Sequence, residues 1–172
     1  LRAIPNLNVF RPSDTIETFE CWELALKNNK TPSVIALSRQ KVIPIRKAIN
    51  NENLSQYGAY EVFRTKEKID LTIFASGSEV GLAVDVSHKL ATQNTQSKVI
   101  SVPCQELFHN QKEAYKDNIL NETINKISIE AGSTETWRKF IGSKGMSFGV
   151  NEFGKSAPYK EIYKNFKLTV ND

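Results

Sequence analysis

Short runs of β-branched and aliphatic residues alternate with stretches of helical period along most of this chain, and that alternation is the strongest constraint on its fold. Asp70-Leu71-Thr72-Ile73-Phe74-Ala75, Val99-Ile100-Ser101-Val102, Lys126-Ile127-Ser128-Ile129 and Met146-Ser147-Phe148-Gly149-Val150 read as strands. Between the first two, Val80, Ala83, Val84, Ser87, Leu90 and Ala91 keep a helical period. Phe108, Tyr115, Ile119 and Leu120 mark helical turns in a longer crossover, Trp137 and Phe140 another helix, and Tyr159 to Phe166 a last one. Largely apolar strands joined by helix-length crossovers belong to parallel sheets buried on both faces. The predicted fold class is therefore α/β: a mostly parallel sheet covered by helices on both faces, over residues 57–172, with Gly58 to Arg64 as an edge strand.

The first 47 residues form a separate, smaller pattern. Asn8-Val9-Phe10 is a short strand, and Asp14 with Glu17 three residues later has the spacing of a capping box at a helix start. Ile16, Phe19, Trp22 and Leu26 follow on one helical face, predicted to be core, with the helix ending near Asn28 and Asn29. Ser33-Val34-Ile35-Ala36-Leu37 lacks helical spacing and reads as a buried parallel strand, which completes a βαβ unit. Two strands and one helix cannot cover both faces of a sheet, so residues 1–47 read as the tail of a second α/β domain. A chain opening on Leu1 rather than Met is expected to be a fragment. The polar, Asn-rich stretch 48–56 has neither period and reads as a linker.

Composition removes several function classes. The net charge of +4 comes from lysines scattered among acids; even around Arg64, Lys66 and Lys68 they alternate with Thr65 and Glu67, so nucleic-acid binding is not expected. No apolar run approaches the roughly 20 residues of a membrane helix, and no signal peptide is visible. Cys21 and Cys104 have neither metal spacing nor a redox motif, and are expected to be reduced, partly buried thiols of a cytoplasmic protein. His88, on a predicted helix, and His109, in a predicted polar loop, lack partners at ligand or triad spacing. No phosphate loop, dinucleotide fingerprint or zinc motif occurs.

The candidate site residue is Arg39. In Leu37-Ser38-Arg39-Gln40 an apolar strand ends in a guanidinium, and ligands of open α/β sheets bind at the carboxyl edge of the strands. A planar fork of donors that stays charged suits a phosphate, although a strand end meeting solvent or a carboxylate would produce the same pattern. Ser76-Gly77-Ser78-Glu79 and Ala131-Gly132-Ser133-Thr134 lie at strand-to-helix turns; capping is the expected role, with a Ser76–Glu79 capping box. Glu130 also ends a strand and is expected to be a cap or an ion-pair partner.

Several ordered blocks carry a resemblance to a known family. Leu1-Arg2-Ala3-Ile4-Pro5-Asn6, Val9-Phe10-Arg11-Pro12-Ser13-Asp14, Leu37-Ser38-Arg39-Gln40, Ala75-Ser76-Gly77-Ser78-Glu79-Val80, Ile129-Glu130-Ala131-Gly132 and Phe153-Gly154-Lys155-Ser156-Ala157-Pro158 resemble the last quarter of transketolases. The resemblance implies the end of a pyrimidine-binding domain (1–47), a linker (48–56) and a transketolase C-terminal domain (57–172). It implies a homodimeric, cytoplasmic transferase of the pentose phosphate pathway that moves a two-carbon ketol unit between sugar phosphates, using thiamine diphosphate and a divalent metal such as magnesium. In that family the matching Arg of the LSRQ motif binds the substrate phosphate, which gives Arg39 its implied role; no catalytic, cofactor or metal residue is carried over. The family's Gly-Asp-Gly cofactor signature, its activating acid and its catalytic histidines are missing, so this chain alone is expected to be inactive. Lys41 stands where the family usually has Asn, and the usual helix beyond Val170 is not present. Alternatives are a deoxyxylulose phosphate synthase, the β subunit of a 2-oxo acid dehydrogenase, or a non-catalytic interaction or assembly module.

Overall fold

The computed structural model describes residues 1–48 and 51–172. It contains two sheets. The smaller has two parallel strands, β1 (Asn8–Phe10) and β2 (Ser33–Ile35), in the register Val9 opposite Val34, joined through helix α1 (Thr15–Lys27). Asp14 caps α1 by accepting from the Glu17 amide at 2.9 Å, and the Glu17 carboxylate accepts from the Ser13 amide at 2.6 Å, one residue earlier than in the usual capping box. β2 is shorter and less buried than the sequence predicts, because among the described residues β1 is its only neighbour and its residues stay partly exposed.

The apolar stripe of α1 does not form core. Phe19 is 71% and Leu26 77% exposed, and Trp22 is exposed as well. The inward face instead carries Glu17, Glu20 and Cys21. Glu17 accepts from the Tyr60 hydroxyl at 2.6 Å and from Ser101 Oγ at 2.5 Å. Glu20 accepts from Arg46 at 2.9 Å and from both the amide and hydroxyl of Ser55. Hydrogen bonds to fixed partners satisfy these carboxylates, and they orient the helix with its apolar side outward.

The larger sheet has the order β3-β5-β4-β6-β7, built from β3 (Tyr60–Arg64), β4 (Leu71–Ala75), β5 (Ser97–Ser101), β6 (Lys126–Ile129) and β7 (Met146–Phe148). All pairs are parallel except β3 with β5, whose register shifts at a bulge between Glu61 and Phe63. Side chains of the central strands alternate between two cores. Ile73 and Val99 meet Val80 and Ala83 of α2 (Glu79–Thr92). Phe74 and Ile100 meet Phe108 of α3 (Gln105–His109), Ile119 of α4 (Glu113–Leu120) and Phe140 of α5 (Arg138–Ile141). The Phe108 and Phe140 rings stack at 5.0 Å, and each such buried ring contributes roughly 1.5–3 kcal/mol. Both faces are thus covered, as the sequence predicts. Helix α6 (Tyr159–Asn165) returns to the α2 side, where Tyr163, Phe166 and Leu168 join the first core.

The predicted linker 48–56 carries a short element of its own. Ile49 and Asn50 lie outside the described residues, but Leu54–Tyr57 form a 3₁₀ turn capped by Asn53 and pinned to α1 through the Ser55–Glu20 bonds. His109 is also misplaced by sequence reasoning: it closes α3 and packs at 5.3 Å from the Phe140 ring, where burial and the nearby Lys139 charge lower its pKa.

Candidate functional site

Two carboxyl edges of parallel strands lie in this chain. The first belongs to β4 and β6, where the sequence places Ser76, Glu79 and Glu130. The predicted Ser76–Glu79 capping box is absent: α2 begins at Glu79, and neither side chain caps it. Both reach inward instead, to a guanidinium from the other sheet. Arg11 follows β1 directly, and its Nη1 donates to Glu130 at 2.6 Å while Nη2 donates to Glu79 at 3.0 Å. Its main chain is fixed too, by Arg11 N to Pro103 O at 2.8 Å and Gly77 N to Arg11 O at 2.9 Å. Gly77 makes this approach possible: its φ is +60°, and a Cβ there would lie 3.2 Å from Arg11 Nη2.

Glu130 is saturated. Besides Arg11 it accepts from Arg2 at 2.7 Å, Ser76 at 2.6 Å and the Trp137 indole at 2.9 Å. Burial alone would raise its pKa, but the charges of Arg2 and Arg11 more than offset that and hold it down at about 2. Glu79 accepts from the Ala131 amide at 2.9 Å and from the Tyr163 hydroxyl. Glu130 is therefore an ion-pair partner, as expected, and this edge is filled by the chain's own arginines.

The second edge is that of β1 and β2. Ala36 N still bonds Phe10 O at 2.8 Å, after which the chain leaves the sheet and carries Arg39 outward. Arg39 is exposed and lines an open cleft of about 490 Å³ together with Gln40, Lys155, Ser156, Tyr159 and Ile162. Among the described residues the Arg39 guanidinium has no hydrogen-bond or ion-pair partner. Two cations, Arg39 and Lys155, thus border one space, with donor groups on Ser156 and Tyr159 beside them; that combination suits an anion with several oxygens. Lys155 also donates to Asn165 Oδ1 at 3.3 Å, lies 3.7 Å from Glu152 and sits over the Phe166 ring. Gln40, next to Arg39, donates to the Tyr163 hydroxyl at 3.1 Å.

The cleft draws on both sheets. Sequence reasoning isolates Arg39 but does not place Lys155 beside it or Tyr163 beside Gln40, since these lie 116 positions or more further along the chain and no local pattern joins them. Among the described residues no three His, Cys, Asp or Glu side chains come together as a metal site, and no helix is long and apolar enough to cross a membrane.

Residues 58–169 match the family model for the transketolase-like C-terminal domain, and residues 1–44 match that for the transketolase pyrimidine-binding domain. The chain belongs to the transketolase family. A curated transketolase from Sinorhizobium medicae is 44% identical over 99% of this chain, which covers 25% of that relative. Among solved structures, the transketolase from Leishmania mexicana superposes with a TM-score of 0.88 at 39% identity, over 99% of this chain and 24% of its own. The transketolase from Pichia stipitis in complex with sedoheptulose 7-phosphate superposes with a TM-score of 0.89 at 35% identity, over 99% and 24% of the two chains. The chain thus spans about a quarter of the length of these transketolases.

Proposed function

We propose that this chain forms the C-terminal part of a thiamine diphosphate-dependent transketolase, transferring a two-carbon ketol unit from a ketose phosphate to an aldose phosphate. Residues 1–47 end the pyrimidine-binding domain, 48–56 connect, and 57–172 form the C-terminal domain; the two separate sheets support that division. The observation that carries the reading is the exposed guanidinium of Arg39 at the rim of its sheet, bordering a cleft large enough for a phosphate. There Arg39 anchors the remote phosphate of the sugar. A substrate held at one end presents its reacting carbon in a restricted set of orientations, and binding energy at the phosphate is available to the chemical step.

Thiamine diphosphate, which supplies the electron sink for carbon–carbon bond cleavage when bound, does not fit the residues described. The buried carboxylates Glu79 and Glu130 are neutralised by Arg2 and Arg11, and among the described residues no three His, Cys, Asp or Glu side chains gather for the accompanying magnesium ion. In this reading the cofactor is held by other parts of the enzyme. The exposed apolar groups Phe19, Trp22, Leu26 and Phe153 support packing against those parts and in a homodimer. A cytoplasmic location agrees with two buried, unbridged cysteines.

In the holoenzyme, Arg39→Ala is expected to raise KM for phosphorylated sugars by about tenfold to a hundredfold, with a much smaller effect on unphosphorylated ones. Equal effects on both substrate classes would remove Arg39 from the phosphate site. The 172-residue chain alone is expected to show no ketol transfer with thiamine diphosphate and magnesium; turnover by it would overturn the assignment of cofactor binding to other parts.

A further inference from the structure

Arg39 leaves its strand on a segment with little support of its own. β2 ends at Ile35, Ala36 makes the last bond to β1, and residues 36–39 are exposed. A long, mobile cation on such a segment loses conformational freedom when it grips an anion, and that loss weakens binding unless the segment is already held. The structure shows one hold immediately beside it. Gln40 Nε2 donates to the Tyr163 hydroxyl at 3.1 Å, and that hydroxyl donates in turn to Glu79.

The hydroxyl is fixed from behind. Glu79 is fully buried, accepts from Arg11 and from the Ala131 amide, and through Arg11 joins Glu130, Arg2 and Trp137. The Tyr163 ring meets Tyr159 edge-on at 5.9 Å, and Tyr159 lines the cleft itself. A continuous series of hydrogen bonds therefore runs from the saturated edge of the large sheet, through one tyrosine, to the residue next to Arg39. Burial and the Glu79 charge raise the Tyr163 pKa, so the hydroxyl stays protonated as the donor this series needs.

We infer that Tyr163 is a positioning residue for substrate phosphate recognition: through Gln40 it holds the Arg39 segment in the conformation that meets the anion. The C-terminal domain then contributes to substrate binding without touching the reacting atoms. This rests on the reading of Arg39 given above, and the two can fail separately.

The test compares Tyr163→Phe, Gln40→Leu, the double variant and Arg39→Ala in the holoenzyme, using a phosphorylated and an unphosphorylated aldose acceptor. Tyr163→Phe keeps the ring and its packing and removes only the hydroxyl. Loss of one such bond is expected to raise KM for the phosphorylated acceptor about fivefold, with kcat and the KM of the unphosphorylated acceptor changing less than about twofold. Gln40→Leu, which leaves the Tyr163–Glu79 bond in place, should reproduce that selective change, and the double variant should add nothing to it. If Arg39→Ala is selective for the phosphorylated acceptor but Tyr163→Phe and Gln40→Leu are not, or if their effects add in full, the positioning role is wrong and the Arg39 reading stands. If Arg39→Ala is itself unselective, both are overturned.

Discussion

The two strand edges of this chain start from the same topological position and end in opposite states. Where β4 and β6 finish, two carboxylates are buried, and their donors come from Arg2, Arg11, Ser76, Ser78, Tyr163, Trp137 and the Ala131 amide. Where β1 and β2 finish, one guanidinium stands in the open beside Lys155. Open α/β sheets bind ligands at this edge, but the position alone does not make a site. What decides is whether the charges there are already paired within the chain. The large sheet has in effect taken Arg11 as its ligand, whereas the guanidinium at the smaller one is without a partner among the described residues.

Substitutions at the two edges should separate them, the paired one first. Glu130→Ala removes a buried carboxylate that two partly buried arginines share, and is expected to cost about 3–5 kcal/mol in urea unfolding. A loss below about 1 kcal/mol would mean the edge is far less dependent on pairing than its geometry suggests. Next is the response to acid. Because Glu130 is held at about 2, below the ordinary glutamate value of about 4.3, its contribution is complete above the ordinary value and disappears as pH falls through the folded one. Stability should therefore drop between roughly pH 5 and pH 2, and Glu130→Gln should flatten that drop. Glu17 has the opposite sign: burial raises its pKa despite the hydrogen bonds from Ser101, Tyr60 and Ser13, so its contribution is present below the ordinary value and lost as pH rises through the raised one.

Gly77→Ala tests the same edge more gently. A side chain at φ +60° and 3.2 Å from Arg11 is expected to destabilise by about 1–2 kcal/mol, measured by thermal unfolding. The smallest effect belongs to the open edge: Arg39→Ala should change unfolding free energy by less than about 0.5 kcal/mol, since the side chain is exposed and unpaired among the described residues. A larger cost would show that Arg39 serves the fold.

The elements of this chain were legible wherever the signal was local. The Asp14 cap, the four apolar strands of the large sheet and its two-sided cover follow from spacing and turn chemistry. Two things were not legible, for one reason. The inward face of α1 is chosen by Tyr60, Ser101 and Ser55, and Ser76 and Glu79 are drawn from capping by Arg11, all of them distant in sequence. A polar residue's role depends on its partner, and periodicity says nothing about partners 35 to 84 positions away. A hint existed: Arg11 and Glu130 each follow a strand directly, and opposite charges at strand ends can meet. The Gln40–Tyr163 contact next to the cleft had no comparable signal, because Tyr163 carries an ordinary helical spacing.

The cysteines draw a practical consequence from the same seam. Cys21 belongs to α1 and Cys104 follows β5, yet both lie fully buried in one small cluster with Phe10 where the two sheets meet. Burial raises both thiols, Cys104 to about 12, so neither offers a thiolate to a reagent near neutral pH while the halves are joined. Alkylation of the pair therefore requires this cluster to open, and its rate measures how often the seam is exposed.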